Sequence, residues 1–330
     1  MVTSVLSGLL TATLEVFLPR AVGSTWTDVG SVLGRISVPS LLALTIVWIA
    51  GLWAHSFVLS ASLPGLTKRR GLTLSLTGSA VANVLPLGGA AGTALNFAMV
   101  RRWGFSSVAF GGFLAVTTLL NLVSKLGVIA LALALMPILH SASAFGSGTL
   151  LFLPVPAAVV VCVWILADER AAAIVGAALD KPIGVFRASD LAVRIPALRR
   201  SILRIVRSGW RPMTVGMLAY LALQLALLWL CFQVLGVALG LPVLFTALAV
   251  ERLLTLVPIT PGAAGIVEVG TTAALVALGG DPAGVAAGLL LFRGFTYLME
   301  IPVGGLTLAI WLAAQRRRRQ DRSELEALAG

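Results

Sequence analysis

An all-α integral membrane protein is the fold class this sequence predicts, and three observations predict it. Hydrophobic residues fill 58% of 330 positions and charged residues only 11%, with a mean hydropathy of +1.01, whereas about a quarter of a soluble domain is charged. Apolar runs long enough to cross about 30 Å of hydrocarbon recur along the chain. The basic residues stand in short clusters that flank those runs. Alternating ten-residue strands, which a barrel would need, are absent from the sequence, so the backbone in lipid must be satisfied within helices.

The elements follow in order. Val2 to Leu18 is apolar but carries Glu15 and has no basic start, which makes it a poor signal peptide and a weak span. Ser40 to Ser62 is a clear span, followed by Lys68-Arg69-Arg70. Ser106 to Ile138 and Leu150 to Ala167 are the next full crossings, preceded by Arg101-Arg102. The segment from Asp168 to Arg211 holds nine Lys/Arg against four Asp/Glu, so the positive-inside rule puts it in the cytoplasm. Within it, Arg199 to Arg207 has the pattern of an amphipathic helix lying on the membrane surface. Met213 to Leu239 then leads out, and Val285 to Leu312 leads back to the basic tail at Arg316 to Arg319.

Counting crossings from the cytoplasmic loop puts both Lys68-Arg69-Arg70 and Arg101-Arg102 inside. Residues 71–99 must therefore enter and leave on one side. They are interrupted at Pro86, Gly88 and Gly89, leaving arms of about 14 and 10 residues, too short to cross. Residues 241–279 start and finish outside by the same parity, and re-entry is the economical reading, although two short crossings would give the same parity. They are interrupted at Pro258, Pro261, Gly262 and Gly265. Gly88-Gly89-Ala90-Ala91-Gly92 and Pro261-Gly262-Ala263-Ala264-Gly265 share a register. Two re-entrant broken helices with six full spans, about eight membrane segments, are thus expected in an inverted repeat, an arrangement transporters use. The chain reads as one polytopic membrane domain over 1–330. Its parts are a first half-repeat at 71–136, the basic cytoplasmic loop at 168–211, a second half-repeat at 241–314 and a cytoplasmic tail at 315–330.

The formal net charge of +11 does not point to nucleic acid, because it sits beside apolar runs and no binding module accompanies it. It fits topology and attraction to anionic lipid headgroups. Cys162 and Cys231 lie inside apolar runs, so neither a disulfide framework nor a metal is expected. No P-loop, nucleophile elbow or dinucleotide fingerprint is present, and no cofactor is expected.

Ionisable groups at membrane depth are the candidates for function, because a central charge costs about 2.5 to 3.5 kcal/mol on insertion scales. Glu251, Arg252, Glu268, Arg293 and Glu300 all lie in the second half. Arg293, Tyr297 and Glu300 are spaced to share one stripe of the last span. Glu268 falls in the first turn after a break, where a helix N-terminus favours a carboxylate. Two readings stay open: a buried ion-pair lattice such as Glu268 with Arg293, or a grip on an anionic headgroup by Arg293 or Arg252 with the carboxylates balancing charge. Asn83 either meets substrate or caps the broken arm. Lys125, Arg101 and Arg102 are read as snorkelling or loop charges, and His55 and His140 as structural or interfacial.

Pro258-Ile259-Thr260-Pro261-Gly262-Ala263-Ala264-Gly265-Ile266-Val267-Glu268, followed by Arg293, Pro302 and Gly304-Gly305, resembles the P-x-x-P-G-G-x-G-x-x-E … R … P-x-x-G signature of the lysylphosphatidylglycerol synthase transmembrane-region family, a flippase-like domain. Asn83 to Gly89 is similar to its first-half motif, and the resemblance runs over roughly residues 30 to 315. It implies an eight-segment membrane domain like the membrane part of multiple peptide resistance factor proteins, standing here without the transferase domain that makes lysyl-phosphatidylglycerol. Ala263 replaces the usual second Gly. Thr117-Thr118-Leu119-Leu120-Asn121 stands where relatives often carry a charged stretch. The expected function is translocation of a lipid or lipid-linked headgroup in the cytoplasmic membrane, the substrate being an anionic or aminoacylated phospholipid or a polyprenyl-phosphate-linked group, without enzymatic activity. The alternative is a non-transporting scaffold for a glycosyltransferase or lipid-modifying enzyme. Membrane lipids are the expected partners, with a lipid-modifying enzyme or a second copy of the chain left open.

Overall fold

A computed structural model describes residues 23–85, 88–139, 170, 191–256 and 263–329. The described residues form helices and no strands: α1 (Trp26–Leu33), α2 (Val38–Ser62), α3 (Lys68–Val84), α4 (Gly88–Arg102), α5 (Ser107–Leu139), α6 (Leu191–Val234), α7 (Leu241–Leu254), α8 (Ile266–Ala277), α9 (Pro282–Arg293) and α10 (Glu300–Ala329). A π-helical turn, Gly294–Leu298, joins α9 to α10. The expected spans Val2 to Leu18 and Leu150 to Ala167, and also His140, Cys162, Pro86, Pro258, Pro261 and Gly262, lie outside the described residues.

Among the described residues, four stretches are long and apolar enough to cross a membrane: Val38–Ser62, Ser107–Leu135, Ile202–Val234 and Pro282–Arg317. Their outward faces carry large apolar side chains, with Ile46 67% and Leu306 63% exposed. That is the surface lipid requires, since water would penalise it. This chain is a membrane protein.

Helix ends follow local chemistry. Ser37 caps α2 with Pro39 in its first turn, and Thr67 caps α3 by accepting from the Arg70 N–H. α2 and α6 run antiparallel through small residues. A Cβ on Gly216 would lie 3.0 Å from the Ala54 carbonyl oxygen, and one on Gly209 3.1 Å from that of Ala61. Such residues let backbones approach where lipid supplies no hydrophobic drive. The main core gathers Trp48 and Leu52 of α2, Leu228 and Phe232 of α6, Leu244 and Leu248 of α7, and Phe292.

Two helical hairpins have their termini at opposite ends of this bundle. α3 and α4 fold back on each other, so closely at Gly92 that a Cβ there would meet the Gly78 carbonyl oxygen at 2.6 Å. A Cβ on Gly88 would collide with the Ala82 carbonyl, so α4 starts hard against the last turns of α3. Both hairpin termini lie at one end of the bundle. There Lys68 packs over Phe57, Arg70 over Trp103 and Arg102 over Trp311. α7 and α8 form the second hairpin, which starts and finishes near the C-terminus of α6, where a Cβ on Gly284 would reach Val237 at 2.8 Å.

Several expected boundaries are corrected. The hairpin arms are longer than the sequence suggested in the first half, 17 and 15 residues, because both basic clusters are wound into the helix ends. Arg199 to Arg207 is not a separate surface helix: it is part of the 44-residue α6, continuous with the span. Its apolar side, Ile202 with Ile205 and Val206, packs against α5 residues Val116 and Leu119. The last span is interrupted by the π-helical turn, and the tail continues as helix to Ala329.

Candidate functional site

The polar interior is built around Glu268. α8 begins at Gly265, whose φ of +83° is a left-handed conformation that suits glycine. Its N–H donates to Glu268 Oε2 at 2.6 Å. Arg293 Nε, at the last turn of α9, donates to the other oxygen, Oε1, at 2.5 Å. One carboxylate thus ties the helix start after the break to the end of the neighbouring helix. The Arg293 guanidinium also lies over the Tyr297 ring, 4.9 Å from its centroid. The expected Glu268–Arg293 pair therefore exists.

Tyr297 lies beside Arg293 as the spacing suggested, but it does not line the cavity, where Thr296 stands with Arg293 and Glu300. Tyr297 faces α3. Its hydroxyl donates to the Asn83 carbonyl oxygen at 2.9 Å, while Asn83 Nδ2 donates to the Tyr297 carbonyl oxygen at 3.2 Å. This reciprocal clasp joins the last turn before the first break to the last span.

Between these elements lies a cavity of about 320 Å³. Lys125 of α5, Glu251 and Arg252 of α7, Arg293 and Glu300 reach its wall, with His55 of α2, Tyr220 and Gln224 of α6 and Asn83 of α3. Glu251 and Arg252 form an ion pair at 3.3 Å. That contact does not satisfy them, since Glu251 Oε2 and Arg252 Nε remain buried without a hydrogen-bond partner. Lys125 Nζ makes one long contact, 3.4 Å to the Thr255 carbonyl oxygen. Ser79 and Glu300 line the same cavity. With Arg293 engaged by Glu268, the remaining charges are Lys125 and Arg252 against Glu251 and Glu300. The site is dipolar rather than simply cationic.

The structure thus brings Glu251, Arg252, Arg293, Glu300 and Asn83 together, with Glu268 directly behind Arg293. Lys125 is corrected: it is turned inward to the cavity and does not snorkel to a helix end. His55 stands in the wall of the site, its ring 4.9 Å from that of Tyr220. Tyr220, Gln224 and Thr296 were missed. The available signal was that polar and ionisable side chains inside apolar runs are costly wherever they face lipid. Arg101 behaves as a loop charge, donating to the Phe105 carbonyl oxygen at 2.8 Å. Gly89 has open space around it, so no packing demand makes it a glycine. Ala263, in the place of the signature glycine, has φ +55°.

No curated protein and no solved structure matches the chain. The family model described as the lysylphosphatidylglycerol synthase TM region matches residues 4–304, starting earlier than the motifs alone suggested and taking in both hairpins and the Glu268–Arg293 pair. By that match, which spans most of its length, this chain belongs to the lysylphosphatidylglycerol synthase transmembrane-region family.

Proposed function

We propose that the chain is a flippase-like translocator that carries the headgroup of a lipid or lipid-linked substrate across the cytoplasmic membrane while the acyl chains stay in the bilayer. The observation that carries this reading is the charged cavity itself, enclosed in an apolar bundle and walled by both hairpins together with the long helices. Ionisable groups cost several kcal/mol each at membrane depth, and their convergence on one space is the expected design of a polar path. Arg252 and Lys125 take the phosphate. Glu251 and Glu300 balance the charge, or accept the cationic group of an aminoacylated headgroup. Arg293 positions the broken helix through Glu268.

In this reading the two hairpins are re-entrant and the other membrane segments are six full spans. The basic clusters at one end of the bundle, and with them the C-terminal tail, face the cytoplasm by the positive-inside rule. The chain binds and moves its substrate and does not transform it, in keeping with a family described as a transmembrane region. Membrane lipids are its partners, and a lipid-modifying enzyme is the natural supplier of the headgroup.

The test is reconstitution into liposomes carrying phosphatidylglycerol, or its aminoacyl ester, with a fluorescent tail. Translocation is read as loss of inner-leaflet protection from a membrane-impermeant quencher. The parent chain should expose the inner-leaflet pool, and Arg252→Gln/Lys125→Gln should abolish this with its melting temperature in detergent retained. A parent chain no faster than empty liposomes would favour the scaffold role and refute translocation.

A further inference from the structure

Beside the charged cavity lies a second one of about 260 Å³, walled by α2, α3, α4 and α5. The two share His55, Ser75 and Ser79 as a common wall. Apart from His55 the second cavity has no ionisable lining, and its polar groups are hydroxyls and amides, chiefly Ser75, Ser79, Asn96, Thr117 and Asn121. The sequence register that pairs Gly88 with Pro261 puts Gly78 and Ser79 on Glu251 and Arg252. It also puts Leu120, next to Asn121, on Arg293. The first half therefore builds the corresponding place without charge.

This neutral space is shaped for hydrogen bonding. A Cβ on Gly78 would lie 2.8 Å from Asn96 Nδ2, so the two helices touch and hold the Asn96 amide across their crossing. Asn96 Oδ1 is buried there without a hydrogen-bond partner, which costs about 1 to 3 kcal/mol for an ordinary polar group. The Thr117 hydroxyl donates to the Phe113 carbonyl oxygen at 2.9 Å, leaving its lone pairs as acceptors. A phosphate only accepts, and its charge would have no partner among these groups. Hydroxyl groups both donate and accept, and they match this lining.

We infer that the neutral cavity is a second headgroup station, which binds an uncharged polyhydroxylated group, a polyol or sugar ring, of a lipid whose phosphate is held by Arg252 and Lys125 across the shared wall. The inference rests on the translocator reading above. It makes the path asymmetric: one half recognises charge, the other hydroxyls.

The experiment uses two singly charged phosphodiester probes that differ in the hydroxylated group, dihexanoyl phosphatidylinositol and dihexanoyl phosphatidylethanol. Each is titrated by native mass spectrometry onto the full chain in an amine-oxide detergent, which carries no sugar to compete. The inositol lipid should bind about tenfold tighter, the equivalent of about 1.4 kcal/mol. Asn96→Leu should bring that ratio to about one with phosphatidylethanol binding unchanged. Asn121→Ala, an exposed position at which folding is not at stake, should reduce it. Equal binding of the two probes to the parent, or a ratio that survives both substitutions, overturns the second station while leaving the phosphate site standing. Arg252→Gln/Lys125→Gln should weaken both probes, and if it weakens neither, the charged site and the station that depends on it fall together.

Discussion

Glu268→Gln measures how firmly one carboxylate ties the second hairpin to the C-terminal helix. Glu268 is 3% exposed and Arg293 8%, so neither charge has water available when the other is removed. Losing one member of such a pair costs about 3 to 5 kcal/mol, because the survivor is left uncompensated. The Gln carbonyl can still accept from the Gly265 N–H, so the helix start is largely preserved and the stranded Arg293 accounts for most of the loss. Arg293→Gln should cost a similar amount by stranding the carboxylate instead. In the double variant Glu268→Gln/Arg293→Gln no charge is stranded, and the two amides can bond each other. Its loss should be well below the sum of the singles, with a coupling of at least about 2 kcal/mol. Unfolding of purified protein in mixed micelles, titrated with dodecyl sulfate and followed by tryptophan fluorescence, gives the three values. Losses that add to within about 0.5 kcal/mol would refute the reasoning, since uncoupled sites behave that way.

Arg293→Lys keeps the charge but not the Nε donor or the flat group over Tyr297; it should lower stability by about 1 to 2 kcal/mol and keep most transport, whereas Arg252→Lys should lose transport. Equal transport by the two variants in the liposome assay would contradict the division of roles. Gly304→Ala should lower stability by about 3 kcal/mol or more in the same unfolding titration, because its Cβ would collide with the Leu76 carbonyl oxygen of α3, while the neighbouring Gly305→Ala meets nothing and should be neutral. Ala263→Gly should change stability by less than about 1 kcal/mol: relief of a left-handed alanine, about 1 to 2 kcal/mol, is offset by glycine's chain entropy and a lost buried methyl. A larger gain would show that the φ of +55° carries more strain than this. Single cysteines at Arg69 and Ser208 should be shielded from an impermeant thiol reagent in intact cells and one at Ala277 should react, and labelling at Arg69 would overturn the re-entrant assignment of residues 71–99.

Hydropathy and charge are properties of local sequence, so the membrane class, the long apolar helices and the breaks near Gly88 and Gly265 could be read without a fold. The same holds for Glu268. Its place in the first turn after a break favours a carboxylate at a helix N-terminus, and its pairing with Arg293 was one of the two readings the residues left open. What the residues alone could not decide is which way each helix faces. In a soluble protein the apolar stripe marks the buried side, but lipid makes the outer face as apolar as the inner one, and the periodic signal is lost. Lys125 and His55 therefore looked like incidental charges, and Gln224 and Tyr220 like ordinary members of a span. Only the packing of α2, α5, α6 and α7 turns them toward one cavity. Tyr297 marks the same limit at finer scale: it and Thr296 both sit on the Arg293 side of the helix, yet Thr296 lines the cavity while the tyrosine hydroxyl reaches Asn83, a choice made by how the last span seats on the first hairpin and not by any spacing in the chain.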